Sequence, residues 1–170
     1  MNISIARLVV AFPVVLLLAA CGGGGEADEV GEFKNDLYGN EIKIQALKDP
    51  KVDGVTCHMT YFDRGFWDRA QKGNWFEDPS NSSIACRQTG PLRIGDIDRG
   101  KDGEIVFSQR QSLVFKSIGV RRVYDEDNET LMYIVYSRKP VDGSAKMSLS
   151  TVSLYGQAVD WGENVPPSTP

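Results

Sequence analysis

Apolar and polar residues alternate along short runs between Glu41 and Leu154, and this pattern constrains the fold more than any other feature of the chain. The alternation is clear in Glu41–Leu47, and it recurs in Val55–Tyr61, where every second residue is apolar or a cysteine. Turn-forming residues separate these two runs at Asp49–Gly54. Because side chains of a strand point to opposite faces in turn, the pattern predicts half-buried β-strands.

The region from Gly119 to Ser137 predicts a β-hairpin. Gly119–Tyr124 leads into the polar turn Asp125–Glu129, and Thr130–Ser137 returns from it. The returning segment is apolar at nearly every position, which predicts a strand at the centre of a sheet.

Four more segments resemble strands, and one resembles a helix. The strand-like segments are Ser83–Gln88, Glu104–Ser108, Ser112–Lys116 and Lys146–Leu154. The helical candidate is Phe66–Lys72, which is barely two turns long and therefore needs packing support. The expected fold is mostly β: a compact antiparallel sandwich or barrel of about seven strands with one short helix.

The amino terminus has the pattern of an export signal. Leu8–Ala20 is an apolar run of 13 residues, which is shorter than the ~20 residues that a membrane-spanning helix needs. It ends in Leu18-Ala19-Ala20-Cys21, the lipobox of a bacterial lipoprotein signal. We therefore expect cleavage after Ala20 and acylation of Cys21 with palmitate-type chains. The alternative is an ordinary secreted protein that is cut near Ala20.

These features predict a division of the chain into four parts. Residues 1–20 are a signal peptide, residues 21–32 a flexible glycine-rich tether, residues 33–156 a single domain and residues 157–170 a disordered tail. Gly22 stands directly after Cys21, where an aspartate often acts as an inner-membrane retention signal. We therefore expect a lipid-anchored protein facing the periplasm, on the outer membrane rather than the inner membrane.

The charge of the chain argues against nucleic acid as a partner. Without residues 1–20, which contain Arg7, the chain carries 18 basic and 23 acidic residues and no long basic run. Binding to nucleic acid depends on clustered positive charge. The expected partners are the membrane, through the lipid, and an envelope protein or glycan.

The cysteine count predicts a disulfide. Once Cys21 is assigned to lipid, Cys57 and Cys86 remain in an exported domain, where the compartment is oxidising. A bridge around their 28 intervening residues is expected to contribute about 3.5 kcal/mol. Free thiols and a metal site remain as alternatives, although a structural zinc site needs more ligands. If Cys57 lies on a strand, the neighbouring His58 points to the opposite face.

An aromatic insert between the two cysteines is the best candidate for a binding surface. Exposed aromatic side chains on a loop closed by a disulfide can stack on sugars or pack against a partner protein. The alternative is that they cap the end of the sheet and cover the disulfide. The candidate residues are Phe66, Trp67, Arg69, Trp75 and Phe76.

No catalytic residues, metal site or cofactor can be assigned from the sequence. His58 is the single histidine and would have to serve as the imidazole of any Ser/His/Asp set. Asp96–Glu104 places oxygens at alternate positions, but Arg99 and Lys101 interrupt it, so we expect a solvated turn rather than a calcium loop.

Four stretches, in order, resemble the CreA family of small exported bacterial proteins. The resemblance runs from about Phe33 to Leu154, and the stretches are DPKVDGVTC, SSIACRQTGP, SLVFKSIGVRRVYDEDNETLMYIVYS and VDGSAKMSLSTV. It implies a single periplasmic domain with two cysteines at the positions of Cys57 and Cys86. The family name implies a link to carbon-source regulation through gene neighbourhood, and no catalytic residues, substrate or cofactor.

Two features depart from the family pattern. The lipobox differs from a plain secreted form, and the aromatic insert replaces a glycine-rich stretch. The expected function is therefore that of a CreA-like envelope lipoprotein, a non-enzymatic binding or accessory module. The alternative is an envelope enzyme or thiol-redox protein that uses Cys57 and Cys86.

Overall fold

The computed structural model describes residues 27–37, 39–65, 70, 81–107, 112–138 and 145–164. These residues form nine strands and one short 3₁₀ helix. The strands are β1 Asp28–Lys34, β2 Glu41–Lys48, β3 Val52–Asp63, β4 Ser82–Ile94, β5 Glu104–Ile105, β6 Ile118–Asp125, β7 Thr130–Ser137, β8 Met147–Ser153 and β9 Val159–Asp160. The 3₁₀ helix is Leu113–Lys116.

The strands form two sheets in a sandwich-like arrangement, which confirms the predicted mostly-β class. Sheet A has the order β1-β2-β3-β4-β9, and sheet B has the order β5-β6-β7-β8. All neighbouring pairs are antiparallel except β4 and β9, which run parallel. The predicted hairpin is also confirmed. β6 and β7 pair along their whole length, from Ile118 opposite Ser137 to Asp125 opposite Thr130, and β7 lies inside sheet B.

The core lies between the two sheets and follows the alternation of the sequence. Val55, Cys57 and Met59 of β3 are buried, whereas His58 between them is exposed. On sheet B, Leu131, Tyr133 and Val135 of β7 face the core in the same way. Burial of side chains of this size contributes about 1.5–3 kcal/mol each, so this interface supplies most of the drive for folding.

Two segments differ from the sequence expectation, and a third is not described. Ser112–Lys116, predicted as a strand, contains the 3₁₀ helix, in which the adjacent residues Val114 and Phe115 are both buried. A strand would turn these two side chains to opposite faces. Glu104–Ser108 contributes only the two-residue strand β5. The predicted helix Phe66–Lys72 lies outside the described residues except for Ala70.

The ordered domain also extends beyond its predicted limits at both ends. β1 occupies part of the predicted tether 21–32 and pairs along the edge of β2, although most of its side chains are exposed. β9 lies inside the predicted tail 157–170, and Trp161 directly after it packs on Tyr124 with ring centroids 5.5 Å apart. Ion pairs of Lys43 with Glu29 and Glu32 also hold β1, and the Arg93–Asp160 ion pair also holds β9. Backbone pairing, ion pairs and a single aromatic pair produce no apolar repeat in the sequence.

Gly54 occupies a point where β3 and β4 approach too closely for any side chain. The register of the two strands shifts between Asp53 and Val55, and Gly54 has a φ of +83°. A Cβ atom at Gly54 would lie 2.2 Å from the carbonyl oxygen of Pro91. The residue must therefore be glycine for both conformational and steric reasons.

We expect Gly54→Ala to lower the free energy of unfolding by more than the ~1–2 kcal/mol that a left-handed alanine alone costs. The matched control is Gly39→Ala, because Gly39 has a φ of +79° and open space around its Cβ position. Urea unfolding of both variants separates the steric term from the conformational term. Equal losses in the two variants would contradict the close approach of Gly54 and Pro91.

Candidate functional site

Arg122 is a charged residue in the core of the sandwich. The alternation of β6 turns Val120, Arg122 and Tyr124 inward, and Arg122 is only 1% exposed. A guanidinium removed from water in this way is tolerated only when it is paired and hydrogen-bonded. Its partners therefore define the most unusual chemical environment in the described part of the chain.

Asp49 is the principal partner of Arg122. Nη1 of Arg122 lies 2.6 Å from Oδ1 and 2.5 Å from Oδ2 of Asp49, whose side chain is fully buried. Nη2 of Arg122 donates to Oε1 of Glu104. The hydroxyl of Tyr133 donates to Oδ2 of Asp49 over 2.8 Å. The guanidinium of Arg122 thus binds the carboxylates of Asp49 and Glu104. The phenol of Tyr133 adds a further hydrogen bond to Asp49, the more buried of the two.

Lys51 and the backbone complete the set that we call the Arg122 cluster: Asp49, Lys51, Glu104, Arg122 and Tyr133. Nζ of Lys51 lies 2.7 Å from Oε2 of Glu104, and the Lys51 N–H donates to Oδ1 of Asp49 over 2.9 Å. Asp49 and Lys51 belong to the turn between β2 and β3, whereas the other three residues lie on β5, β6 and β7. The cluster therefore fastens a turn of sheet A to three strands of sheet B.

The surroundings of Glu104 and Tyr133 shift their pKa values in the directions that preserve their hydrogen bonds. Burial acts to raise the pKa of Glu104, but Lys51, the Asp98 N–H and Arg122 outweigh it and hold that pKa below its ordinary value. Burial, reinforced by the negative charge of Asp49, strongly raises the pKa of Tyr133. The phenol therefore stays protonated at neutral pH and keeps its hydrogen bond to Asp49.

The chemistry of the Arg122 cluster is that of a structural clamp. A general acid or base must reach the substrate within hydrogen-bond distance, and Asp49 and Arg122 have side-chain exposures of 0% and 1%. Their polar side-chain atoms already form hydrogen bonds within the cluster, apart from Nε of Arg122, which has no hydrogen-bond partner. Sequence reasoning missed this cluster, although an arginine at an inward position of an alternating strand was a visible signal.

A polar groove lies over the same turn, on the side of β3 and β4. Its volume is about 550 Å³, and Asp49 and Gly54 form part of its wall. Arg93 and Asp160 pair across 3.1 Å at its rim. The groove offers both signs of charge together with hydroxyl groups. Its polar lining comprises Lys48, Asp53, Thr56, Thr89, Arg93 and Asp160.

Cys57 and Cys86 form the predicted disulfide. They lie directly opposite each other on β3 and β4, their sulfur atoms are bonded, and neither residue is exposed. The Cys86 N–H donates to Oγ of Ser150 on β8 over 2.8 Å, which links the bridge to sheet B. His58 is exposed on the other face of β3, opposite Ala46 and Ala85. The pair Cys57–His58 is therefore not a reactive pair.

The other sequence-based candidates lie outside the described residues. These are the lipidation site Cys21 and the aromatic candidates Phe66, Trp67, Arg69, Trp75 and Phe76. Within the described ranges, no three side chains among His, Cys, Asp and Glu gather in a way that could hold a metal ion. In the same part of the chain, no helix is long and apolar enough to cross a membrane.

Comparisons with known proteins agree on one family. The family model described as CreA protein matches residues 30–157. Protein CreA of Escherichia coli strain K12 is 39% identical over 147 residues, which cover 82% of this chain and 91% of that protein. The CreA proteins of E. coli O6:H1 and O157:H7 show the same identity and coverage. No solved structure matches the chain significantly.

Proposed function

This chain belongs to the CreA family, and we propose that it is a lipid-anchored accessory protein of the bacterial envelope that acts by binding rather than by catalysis. Its domain faces the periplasm, and the anchor is the acylated amino terminus of Cys21. This assignment has three parts: the compartment, the anchor and the mode of action.

The disulfide carries the assignment to the envelope. Cys57 and Cys86 are bonded in the core of the domain, so the bridge belongs to the folded state itself. Structural disulfides form and persist in oxidising compartments such as the periplasm and are rare in the reducing cytosol. The apolar run Leu8–Ala20 at the amino terminus supplies the matching export signal.

The same disulfide argues against the alternative of a thiol-redox protein. Reduction begins with the attack of an external thiolate on one sulfur atom, and that atom must be accessible. Both cysteines are 0% exposed and are covered by the core of the sandwich. A reductant would reach them only after local opening of β3 and β4, which supports a structural role.

The lipobox supports the anchor, and the length of the tether defines where the domain works. Cys21 is followed by four glycines, Glu26 and Ala27 before β1 begins at Asp28. Seven residues span at most about 25 Å, so a lipid on Cys21 keeps the domain close to the membrane. Two or more acyl chains are needed for stable anchoring. With Gly22 rather than aspartate after Cys21, the outer membrane is favoured.

In this proposal, the aromatic insert forms the binding surface of the protein. Tyr61 of β3 pairs with Ser82 of β4, so paired strands hold the two ends of the insert together next to the disulfide. A loop on such a stem can present side chains at little entropic cost. Phe66, Trp67, Trp75 and Phe76 are suited to stacking on glycans or packing on an envelope protein.

Cys21→Ser is expected to move the protein from the membrane fraction to the soluble periplasmic fraction, since the thiol that accepts the lipid is lost. The matched variant Gly22→Asp keeps the thiol and is expected to stay in the membrane fraction but to shift to the inner membrane. Fractionation on a sucrose gradient with an antibody measures both. If Cys21→Ser stays with the membranes, the lipid anchor is refuted, whereas a Gly22→Asp protein that stays in the outer membrane refutes only the proposed role of Gly22.

A further inference from the structure

The outer face of sheet B, which points away from the core, is apolar. Along β7, the inward residues are fully buried, and the residues between them form the outer face. On the flanking strands, Ile105, Met147 and Leu149 are 45%, 67% and 56% exposed. We call this surface the outer apolar face, and it comprises Ile105, Val123, Met132, Ile134, Tyr136, Met147 and Leu149.

The strand register arranges the outer apolar face in rows across the sheet, and the central row contains Arg121 between two apolar residues. Ile134 lies opposite Leu149 on one side and opposite Arg121 on the other, and Arg121 in turn pairs with Ile105. Residues directly opposite each other have Cβ atoms about 4.5–5.5 Å apart. These side chains therefore form an unbroken row across all four strands of sheet B.

In a second row, an aromatic ring on β7 covers a glycine on β6. Tyr136 is opposite Met147 on β8 and opposite Gly119 on β6. A Cβ atom at Gly119 would lie 2.5 Å from Cζ of Tyr136, so the ring occupies the space above the glycine. Met132 and Val123 form a third row, on the opposite side of the row that contains Ile134. Met147, at the edge of this face, also lines a groove of about 640 Å³ together with Tyr61 and Phe62 of β3.

The outer face of sheet A differs in its centre, on β3 and β4, although Ile42 and Ile44 on β2 are apolar positions of the same face. Its central positions on β3 and β4 are polar: Thr56, His58, Thr60, Ser83 and Arg87. An antiparallel sheet with one face in water usually alternates apolar-in and polar-out, as the central parts of β3 and β4 do here. A contiguous apolar patch on a soluble domain marks an interaction surface.

Charges of opposite sign lie at the two ends of the outer apolar face. The end at which β6 begins and β7 ends carries the exposed cations Lys116, Arg138 and Lys146. The turn between β6 and β7 at the other end carries four acids within Asp125–Glu129. Arg121, near the middle, donates to the carbonyl oxygens of Asp102 and Gly103. The surface is thus positive at one end and negative at the other end, and its middle is apolar apart from Arg121.

From this arrangement we infer that two copies of the chain associate through the outer apolar face. A two-fold axis in the plane of the interface and perpendicular to the strands reverses the strand direction between copies. It therefore places the acidic turn of each copy against the cationic end of the other. An axis parallel to the strands would bring like charges together, so the charge pattern selects the first arrangement.

The size of the face predicts a reversible dimer. The strands β6 and β7 have eight residues each, β8 has seven and β5 has two. With strands about 4.8 Å apart and a rise of about 3.4 Å per residue, they cover roughly 400 Å² in each copy. This places the contact among small, transient interfaces. Confinement to a membrane by lipid anchors raises the effective concentration and strengthens such a contact without adding any new interaction.

Sedimentation equilibrium of the full chain in density-matched detergent tests this inference. The wild type is expected to show a concentration-dependent dimer, and Leu149→Asp is expected to weaken it by at least ~10-fold. Leu149 is more than half exposed, so the variant should keep its fold, as a thermal melt can verify. The matched control His58→Asp places the same charge on the outer face of sheet A and should leave the dimer unchanged.

Salt tests the orientation of the two copies. Higher ionic strength should weaken the dimer, because it screens the contacts between the acidic and cationic ends. A dimer strengthened or unaffected by salt would overturn the charge-selected arrangement. A chain that is monomeric at all concentrations, or a dimer that Leu149→Asp leaves intact, would overturn the inference itself. If monomers bind lipid vesicles and this binding depends on Leu149, the inference is also overturned, because the outer apolar face is then a membrane-binding surface.

Discussion

Asp49→Ala is expected to lower the free energy of unfolding by about 3–5 kcal/mol, the range measured when one partner of a buried ion pair is removed. The substitution leaves the guanidinium of Arg122 in the core at 1% exposure without its bidentate acceptor. It also removes the acceptor of the Tyr133 hydroxyl. Urea or guanidinium unfolding, followed by tryptophan fluorescence, measures the loss.

The matched control is Asp160→Ala. Asp160 also pairs with an arginine, but the side chains of Arg93 and Asp160 are 70% and 56% exposed. Such a surface pair contributes about 0–1 kcal/mol, so this variant should remain close to the wild type. If Asp49→Ala is as stable as Asp160→Ala, the Arg122 cluster is not the clamp that joins the two sheets.

A double substitution separates the cost of the buried charge from the value of the pair. Asp49→Leu combined with Arg122→Met removes both charges and leaves apolar groups in their place. Because burial of the two charges is itself unfavourable, the double variant is expected to be more stable than Asp49→Ala alone. If the free energy of unfolding of the double variant falls by the sum of the losses in the two single variants, the residues act independently.

The second large effect is expected from removal of the disulfide. Cys57→Ala combined with Cys86→Ala should lower the free energy of unfolding by about 3.5 kcal/mol, because the unfolded chain regains the entropy of a loop closed by residues 29 positions apart. Two alanines are the appropriate replacement, since both positions are fully buried and a hydroxyl there would lack a partner. Denaturant unfolding of the variant and the wild type measures the difference.

Two controls accompany this measurement. His58→Ala changes the exposed neighbour of Cys57 and should have a small effect, which shows that position 57 rather than the surrounding strand is responsible. The wild type unfolded with strong reductant should match the double alanine variant. A double variant as stable as the oxidised wild type would mean that the bridge does not restrict the unfolded chain.

These two features differ in how far the sequence could predict them. The disulfide follows from information along the chain: two cysteines remain after Cys21, and alternation places Cys57 and His58 on opposite faces. The hairpin of β6 and β7 is local as well, because two apolar runs flank one polar turn. The structure confirms the bridge, the exposure of His58 and the pairing of the hairpin.

The Arg122 cluster could not be predicted in the same way, because its members are distant in sequence. Asp49 and Arg122 are 73 residues apart, and Asp49 and Tyr133 are 84 residues apart. Only the packing of one sheet on the other brings them together. The strand β1 was missed for another reason: its stability comes from backbone pairing with β2, and an exposed edge strand needs no apolar face.

The aromatic insert remains a prediction from the sequence. Its residues lie outside the described part of the chain, while the structure gives the stem from which it extends. The outer apolar face of sheet B, in contrast, was hidden in the sequence within β7. Apolar residues on both faces of that strand predicted its central position correctly, but its outer face is covered by no described segment and is partly exposed.

The most direct test of the central claim is the intact mass of the protein extracted from envelope membranes, measured with and without alkylation under native conditions. We expect a chain that begins at Cys21, carries acyl chains and shows the mass of one disulfide, with no alkylation of Cys57 or Cys86 until the domain is unfolded. An unacylated chain that begins elsewhere, or two thiols that react in the folded protein, would contradict a lipid-anchored domain held by a structural disulfide.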